Sequence, residues 1–350
     1  MILPPPAGSA LPIVKSFADC IDWNKAVSPY IPQLSALPQQ VLSNLSSLDG
    51  LKSLYVSTNP LIMAFAISLA LAPIFLVVSE VNKNYSQVDR VWSLLPTLYN
   101  AHYNIWARMN GLPMSKLDHV LLFSSIWSAR LTFNYWRKGG YQIGSEDYRW
   151  EIVKSKLTNW QMFLFNVTFI SLAQSYLLFS VTTPTYVLLL ASRLSGGMTI
   201  PDYAFAYILL GLVFVEWVAD GQQWTYYGAR GSYRENAKVP AGFRQRDLER
   251  GFNTTGLFHY SRHPNFAAEQ SIWVLLYQWA CYETGTLYNW TVVGPAAYLI
   301  LFQSSTYLTE GISAKKYPEY KVYQQRVGKF LPNLTGGSWS EYERKTEKSK

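Results

Sequence analysis

Charge is what this sequence has least of: Asp, Glu, Lys and Arg make up 15% of its 350 residues, against about 25% in soluble domains. That deficit excludes a disordered chain, a coiled coil and an ordinary charged surface. Cysteine is scarcer still. Cys20 and Cys281 are too few for a disulfide framework or a thiolate metal site. The four histidines cannot furnish a histidine-rich di-iron centre. His259 and His263 stand at the i, i+4 spacing of a metal pair, but Pro264 follows at once and no third ligand is near, so no metal is expected. Gly-x-Gly-x-x-Gly and Walker loops are also missing, so a nucleotide would have to bind without them.

What is present is apolar: 49% hydrophobic residues, with 13 Trp and 25 Tyr. Mean hydropathy is nevertheless only +0.01, so the apolar residues must be interleaved with polar ones or gathered into blocks. They are gathered. No charge occurs between Lys52 and Glu80, and Leu61 to Ser79 is long enough to cross a ~30 Å hydrocarbon core. Between Lys156 and Arg193 a helix from Trp160 to Val181 is expected. Thr182, Thr183 and Pro184 then break it, and the rest of that stretch reads as a short interfacial return. Between Glu283 and Glu310 a helix is expected from about Tyr288 to Tyr307, bent at Gly294-Pro295.

Four weaker spans, Val91 to Ala107, Leu117 to Trp136, Tyr203 to Ala219 and Phe266 to Tyr282, carry His102, Arg130, Glu216 or Glu269 within or beside the apolar run. Charged groups inside a membrane span cost roughly 2.5 to 3.5 kcal/mol each, so where they occur they mark function. The expected fold is all-α, a polytopic membrane bundle of about seven helices over residues 59–335. A Pro-rich segment, 1–58, precedes it without the features of a cleavable signal peptide, and a polar tail, 336–350, follows.

Lys and Arg accumulate in cytoplasmic loops. With the N-terminus outside, 23 of the 30 basic residues fall in the cytoplasmic segments 80–90, 137–159, 220–265 and 309–350, and six lie opposite, with Arg130 inside a span. The C-terminus is therefore expected in the cytoplasm, and the expected location is the endoplasmic reticulum or a related endomembrane. No nucleic acid is expected, because the basic residues belong to juxtamembrane loops without a binding motif.

Polar residues collect in five clusters. The densest runs from Gly256 to Glu269, where a basic loop enters a helix. Pro264 suits the first helical turn, Asn265 and Glu269 share a face, and Arg262 and His263 stand beside the positive end of the helix dipole. That pattern suits a phosphate outside and an amide or ribose inside. Glu216 and Asp220 share a face of the preceding helix, where two carboxylates need cations, hydroxyls or amides as partners. The third cluster is Asp89, Arg90 and Trp92. The fourth runs from Arg130 through Asn134, Arg137, Lys138, Gly139, Gly140 and Tyr141 to Glu146, Asp147, Tyr148, Arg149 and Trp150. The last is Glu310, Lys315, Lys316 and Tyr317 to Tyr320, ahead of an amphipathic segment.

These clusters, in this order over residues 60 to 335, resemble an uncharacterised family of integral membrane proteins related to the steroid 5α-reductases. In those reductases NADPH enters from the cytosol among the C-terminal helices and a lipid enone enters from the bilayer. The resemblance implies that Asp220, Asn265 and Glu269 contact NADPH and that Arg262 and His263 meet its phosphates. Two departures stand out. Ala268 precedes Glu269 where relatives carry Gly, and the Tyr and Glu that polarise the steroid ketone find no secure match, Trp127 standing near the Tyr position. The implied function is an NADPH-dependent reductase acting on an activated C=C bond of a hydrophobic lipid substrate. Its proton donor is unassigned, Tyr99, His102 and Tyr103 being candidates by location. The alternatives are an S-adenosylmethionine-dependent methyltransferase of the isoprenylcysteine carboxyl type, which shares the Arg-His-Pro loop, and a non-catalytic lipid-binding scaffold.

Overall fold

Asn59 opens the first long helix: its side-chain oxygen accepts from the backbone N–H groups of Leu61 and Ile62, and Pro60 takes the first position, where no N–H is needed. This helix, α1 (Pro60–Asn82), buries Leu61, Ala64, Ser68, Ala72, Phe75 and Ser79 along one stripe. Its other face leaves Ile74, Val77 and Val81 exposed, as a helix against lipid does.

In the computed structural model, which describes residues 10–333 and 338–348, the remaining long helices are α2 (Leu95–Met109), α3 (Ser115–Arg137), α4 (159–180, including the π-helical turns Asn166–Ala173), α5 (Thr183–Ser195), α6 (Ile200–Asn236), α7 (Pro264–Thr284) and α8 (Val293–Lys316). Residues 1–9 of the expected Pro-rich segment, and 336–337 and 349–350 of the expected polar tail, lie outside the described residues. Among the described residues there is no strand, only an isolated parallel bridge between Ser261 and Gly328. Three helical runs, Pro60–Asn82, Asn159–Ser195 and Ile200–Asn236, are long and apolar enough to cross a membrane.

Two expectations change. The residues after the Thr182–Pro184 break are not an interfacial return. They form α5, buried from Thr183 to Ser192, with Thr185 donating to Asn100 Oδ1 (2.8 Å) and Tyr186 to the Ala26 carbonyl (2.8 Å). The threonines do end the preceding helix, donating from Thr182 to the Phe179 carbonyl and from Thr183 to that of Ser180 (2.7 Å each). Gly294-Pro295 does not bend the middle of a helix either. A 3-10 turn, Trp290–Val292, comes first, and both residues fall in the first turn of α8, where proline is tolerated.

The chain divides into two compact units: residues up to Leu209 with Trp273–Tyr298, and Leu210–Ile272 with residues from Leu299 onward. In the first, α2 packs along α3 and α5, and α1 along α4. Short helices of the N-terminal segment join this core, Cys20 and Ala26 being fully buried there. The second holds most of α6, the start of α7, most of α8, and an aromatic core of Phe252, Tyr320, Tyr323 and Trp339.

Candidate functional site

The five sequence clusters condense into two assemblies, one in each unit. In the second unit α6 and α7 meet where the Asn265 side-chain amide donates to Asp220 Oδ1 at 3.1 Å. Glu216, 1% exposed, lies one turn before Asp220, and Glu269, 5% exposed, one turn after Asn265. Two buried carboxylates therefore flank the Asp220–Asn265 pair along their helices. Gln222, also on α6, accepts from the Leu257 backbone N–H (2.9 Å). Gly256 makes that approach possible: its φ is +61°, and a Cβ there would fall 2.5 Å from the Gln222 carboxamide. Gln222, Thr254, Thr255, His259 and Tyr260 line a cavity of about 520 Å³, within the size range of small-molecule sites.

Arg262 and His263 are placed differently from the phosphate contacts the resemblance implies. The Arg262 guanidinium grips Glu310 through two bonds, Nε to Oε1 (2.6 Å) and Nη2 to Oε2 (3.0 Å). Its Nη1 donates to the carbonyls of Gln324 (3.0 Å) and Val327. His263 Nε2 lies 2.9 Å from Glu310 Oε1, and Gln324 donates to Oε2 at 2.9 Å. Burial opposes the charge on Glu310, yet the bonds from His263, Arg262 and Gln324 outweigh it and hold its carboxyl down at about 2. Arg262 thus ties the loop before α7 to α8 and to the C-terminal segment. A carboxylate 48 residues downstream was the partner that the helix-dipole argument did not supply.

Other arginines of the 220–265 loop also serve the fold. Arg250, with a side chain 1% exposed, bonds Glu319, Thr254, Asp247 and Glu343 and lies over the Trp339 ring. Arg230 donates to the Leu248 carbonyl and lies over Tyr317, and Arg244 pairs with Asp247. Arg234 and Lys238 are exposed.

In the first unit the third and fourth clusters dock together. Trp150 donates to Asp89 Oδ2 (2.8 Å), the Tyr85 N–H to Glu146 (2.8 Å), the Asp147 N–H to Ser86 (2.9 Å), and Arg90 to the Ser145 carbonyl (2.8 Å). Burial raises the Asp89 carboxyl above its ordinary value despite the Trp150 bond and the nearby Arg149 charge. Trp127 is fully buried, edge-on to Trp273. His102 has both ring nitrogens engaged. Nε2 lies 2.9 Å from the Pro60 carbonyl, which can only accept, so Nε2 carries the proton and Nδ1 accepts from the Tyr55 hydroxyl (2.8 Å). Tyr99 and Tyr103 are buried beside it.

One charged group escaped the sequence reading. Lys116 at the start of α3 lies 3.1 Å from Asp202 at the start of α6 and 2.5 Å from Glu283 at the end of α7, all three nearly sealed from solvent. Trp279 and Thr199 donate further bonds to Asp202. The available signal was positional: each residue borders an apolar run. No group of three or more His, Cys, Asp or Glu side chains among the described residues is placed to hold a metal ion.

A family model described as a protein of unknown function, DUF1295, matches residues 75–327, a stretch that contains the core of all five clusters. An uncharacterised protein of Schizosaccharomyces pombe is 40% identical over 335 residues, 95% of each chain. No solved structure matches.

Proposed function

The chain belongs to the DUF1295 family, and from that premise we propose that it is a membrane-embedded, NADPH-dependent oxidoreductase reducing an activated C=C bond of a hydrophobic lipid. The reading takes seven helices across an endomembrane, the endoplasmic reticulum, with the C-terminus in the cytoplasm. The observation that carries it is the Asp220–Asn265 contact, which joins two of the residues that the reductase resemblance assigns to the cofactor.

The polar set fits the nicotinamide and ribose half of such a ligand. Asp220 and Glu269 would accept from hydroxyls or the carboxamide, and Asn265 can both donate and accept. NADPH, when bound, supplies hydride; the protein's part is to orient it and exclude water. The phosphate half is not matched by Arg262 and His263, since Glu310 holds both. In this reading they position the loop at the start of α7, and the exposed Arg234 and Lys238 must meet the phosphates.

That same capture of Arg262 favours a second reading, a methyltransferase using S-adenosylmethionine. Glu216, Asp220 and Glu269 suit a ligand that carries positive charge, and such a ligand has no diphosphate to neutralise. Ligand-dependent thermal stabilisation of the detergent-purified protein tests the two. Stabilisation by NADPH supports the reductase, by S-adenosylmethionine alone the methyltransferase, and by neither a non-catalytic lipid-binding role.

A further inference from the structure

Helices α2 and α3 lie side by side in the first unit and leave a groove of about 550 Å³ on their outer surface. Ser125, Ser128, Ala129 and Thr132 on α3 form its floor, at spacings of three and four that keep them on one face. Leu94 and Phe133 stand on its walls. Its two threonine hydroxyls are already partnered: Thr132 Oγ1 lies 2.7 Å from Ser93 Oγ, and Thr97 donates to the Ser124 carbonyl at 2.7 Å. The groove therefore offers a mostly apolar surface. From Ser125 to Trp136 it follows α3 for roughly 16 Å at 1.5 Å per residue, about half of a ~30 Å hydrocarbon core.

One end is closed by the Arg137-Lys138-Gly139-Gly140-Tyr141 turn, which the proposed reductase chemistry leaves unused. Gly139 has φ +80°, and a Cβ on Gly140 would strike the Tyr135 ring. The turn folds Tyr141 back so that its ring meets Tyr135 edge-on at 4.9 Å and its hydroxyl donates to the Arg90 carbonyl at 3.0 Å. The Arg137 guanidinium lies over the Phe133 ring, 5.4 Å from its centroid, and Lys138 is exposed. Trp136 and Tyr141 sit at this rim, where aromatic residues gather at a membrane surface.

An apolar trough roughly 16 Å long that ends in two cations and an aromatic rim matches one kind of ligand. We propose that the groove between α2 and α3 binds an acyl chain of an anionic membrane phospholipid, with its phosphate at Arg137 and Lys138. Apolar burial of the chain provides affinity, and the cations select the headgroup. The proposal stands on the first unit alone and holds whether or not the chain is a reductase.

The full-length protein would be placed in phosphatidylcholine nanodiscs doped with phosphatidylserine or phosphatidylcholine carrying a diazirine in the acyl chain. After illumination, labelled peptides are mapped by mass spectrometry. Labelling should concentrate on residues 94–97 and 125–141 and be about fivefold stronger with the serine headgroup. Ala129→Trp, which fills an exposed position of the floor, should reduce it about fivefold, as should Ser125→Leu if the first variant fails to fold. Lys138→Glu should abolish the headgroup preference. Labelling spread evenly over the exposed face of α1 and unchanged by Ala129→Trp, or equal labelling by both headgroups, would overturn the proposal.

Discussion

The side-chain amide of Asn265 donates to the carboxylate of Asp220 at 3.1 Å, pinning the start of α7 to the second half of α6. Glu216 and Glu269 each lie four residues further from the loop that joins these helices, about 6 Å along their axes. The two carboxylates thus stand at matched distances from that loop on the two helices.

Asn265→Ala leaves Asp220 without this donor and removes an amide from the proposed cofactor site. Hydrogen bonds to charged groups contribute roughly 1.5 to 3 kcal/mol. NADPH affinity is expected to fall about tenfold or more, measured by titrating NADPH fluorescence against wild type and variant. Unchanged affinity would place the cofactor elsewhere.

Glu310→Gln tests the clamp on Arg262. Removing one partner of a buried ion pair destabilises by about 3 to 5 kcal/mol, so the melting midpoint should drop by several degrees at neutral pH. The pH dependence has a definite sign. The folded carboxyl sits at about 2 against an ordinary 4.5, so its stabilisation is fully present above about 4.5 and is lost as pH falls through about 2, a contribution on the order of 3 kcal/mol. The melting difference between wild type and Glu310→Gln should therefore shrink steadily across that window.

Lys116→Met would leave Asp202 and Glu283 buried without their shared cation. A loss of about 3 to 5 kcal/mol is expected, read as a lower melting midpoint in neutral detergent. Adding Glu283→Gln to that variant should restore part of the loss, because one uncompensated charge is then gone.

Gly256→Ala forces a side chain into the left-handed region and against Gln222. It should cost about 1 to 3 kcal/mol, measured by thermal melting. Combining it with Gln222→Ala should recover the steric part and leave the backbone part.

Helices α1 and α4 were legible because apolar runs free of charge leave little choice at membrane length. The break after α4 was legible too, since proline cannot continue a helix. The burial of α5 was not, for its surroundings come from Ala26 and Asn100, distant in sequence. The pairing of Asp220 with Asn265 was within reach as two polar faces at the ends of consecutive helices. The capture of Arg262 by Glu310 was not, because the local pattern around Pro264 describes a helix start equally well whether its arginine faces a ligand or another part of the chain. Lys116, Asp202 and Glu283 mark the same limit: each borders an apolar run, but only tertiary packing brings Asp202 and Glu283 within 3.1 Å of the Lys116 ammonium.

The most direct test of the proposed function is the melting midpoint of the purified full-length protein with and without saturating NADPH, NADH and S-adenosylmethionine. A ligand at 100 times its dissociation constant adds about 2.7 kcal/mol to the native state. The reductase account predicts an upward shift with NADPH that Asn265→Ala diminishes; a shift with S-adenosylmethionine alone, or with none of the three, would contradict it.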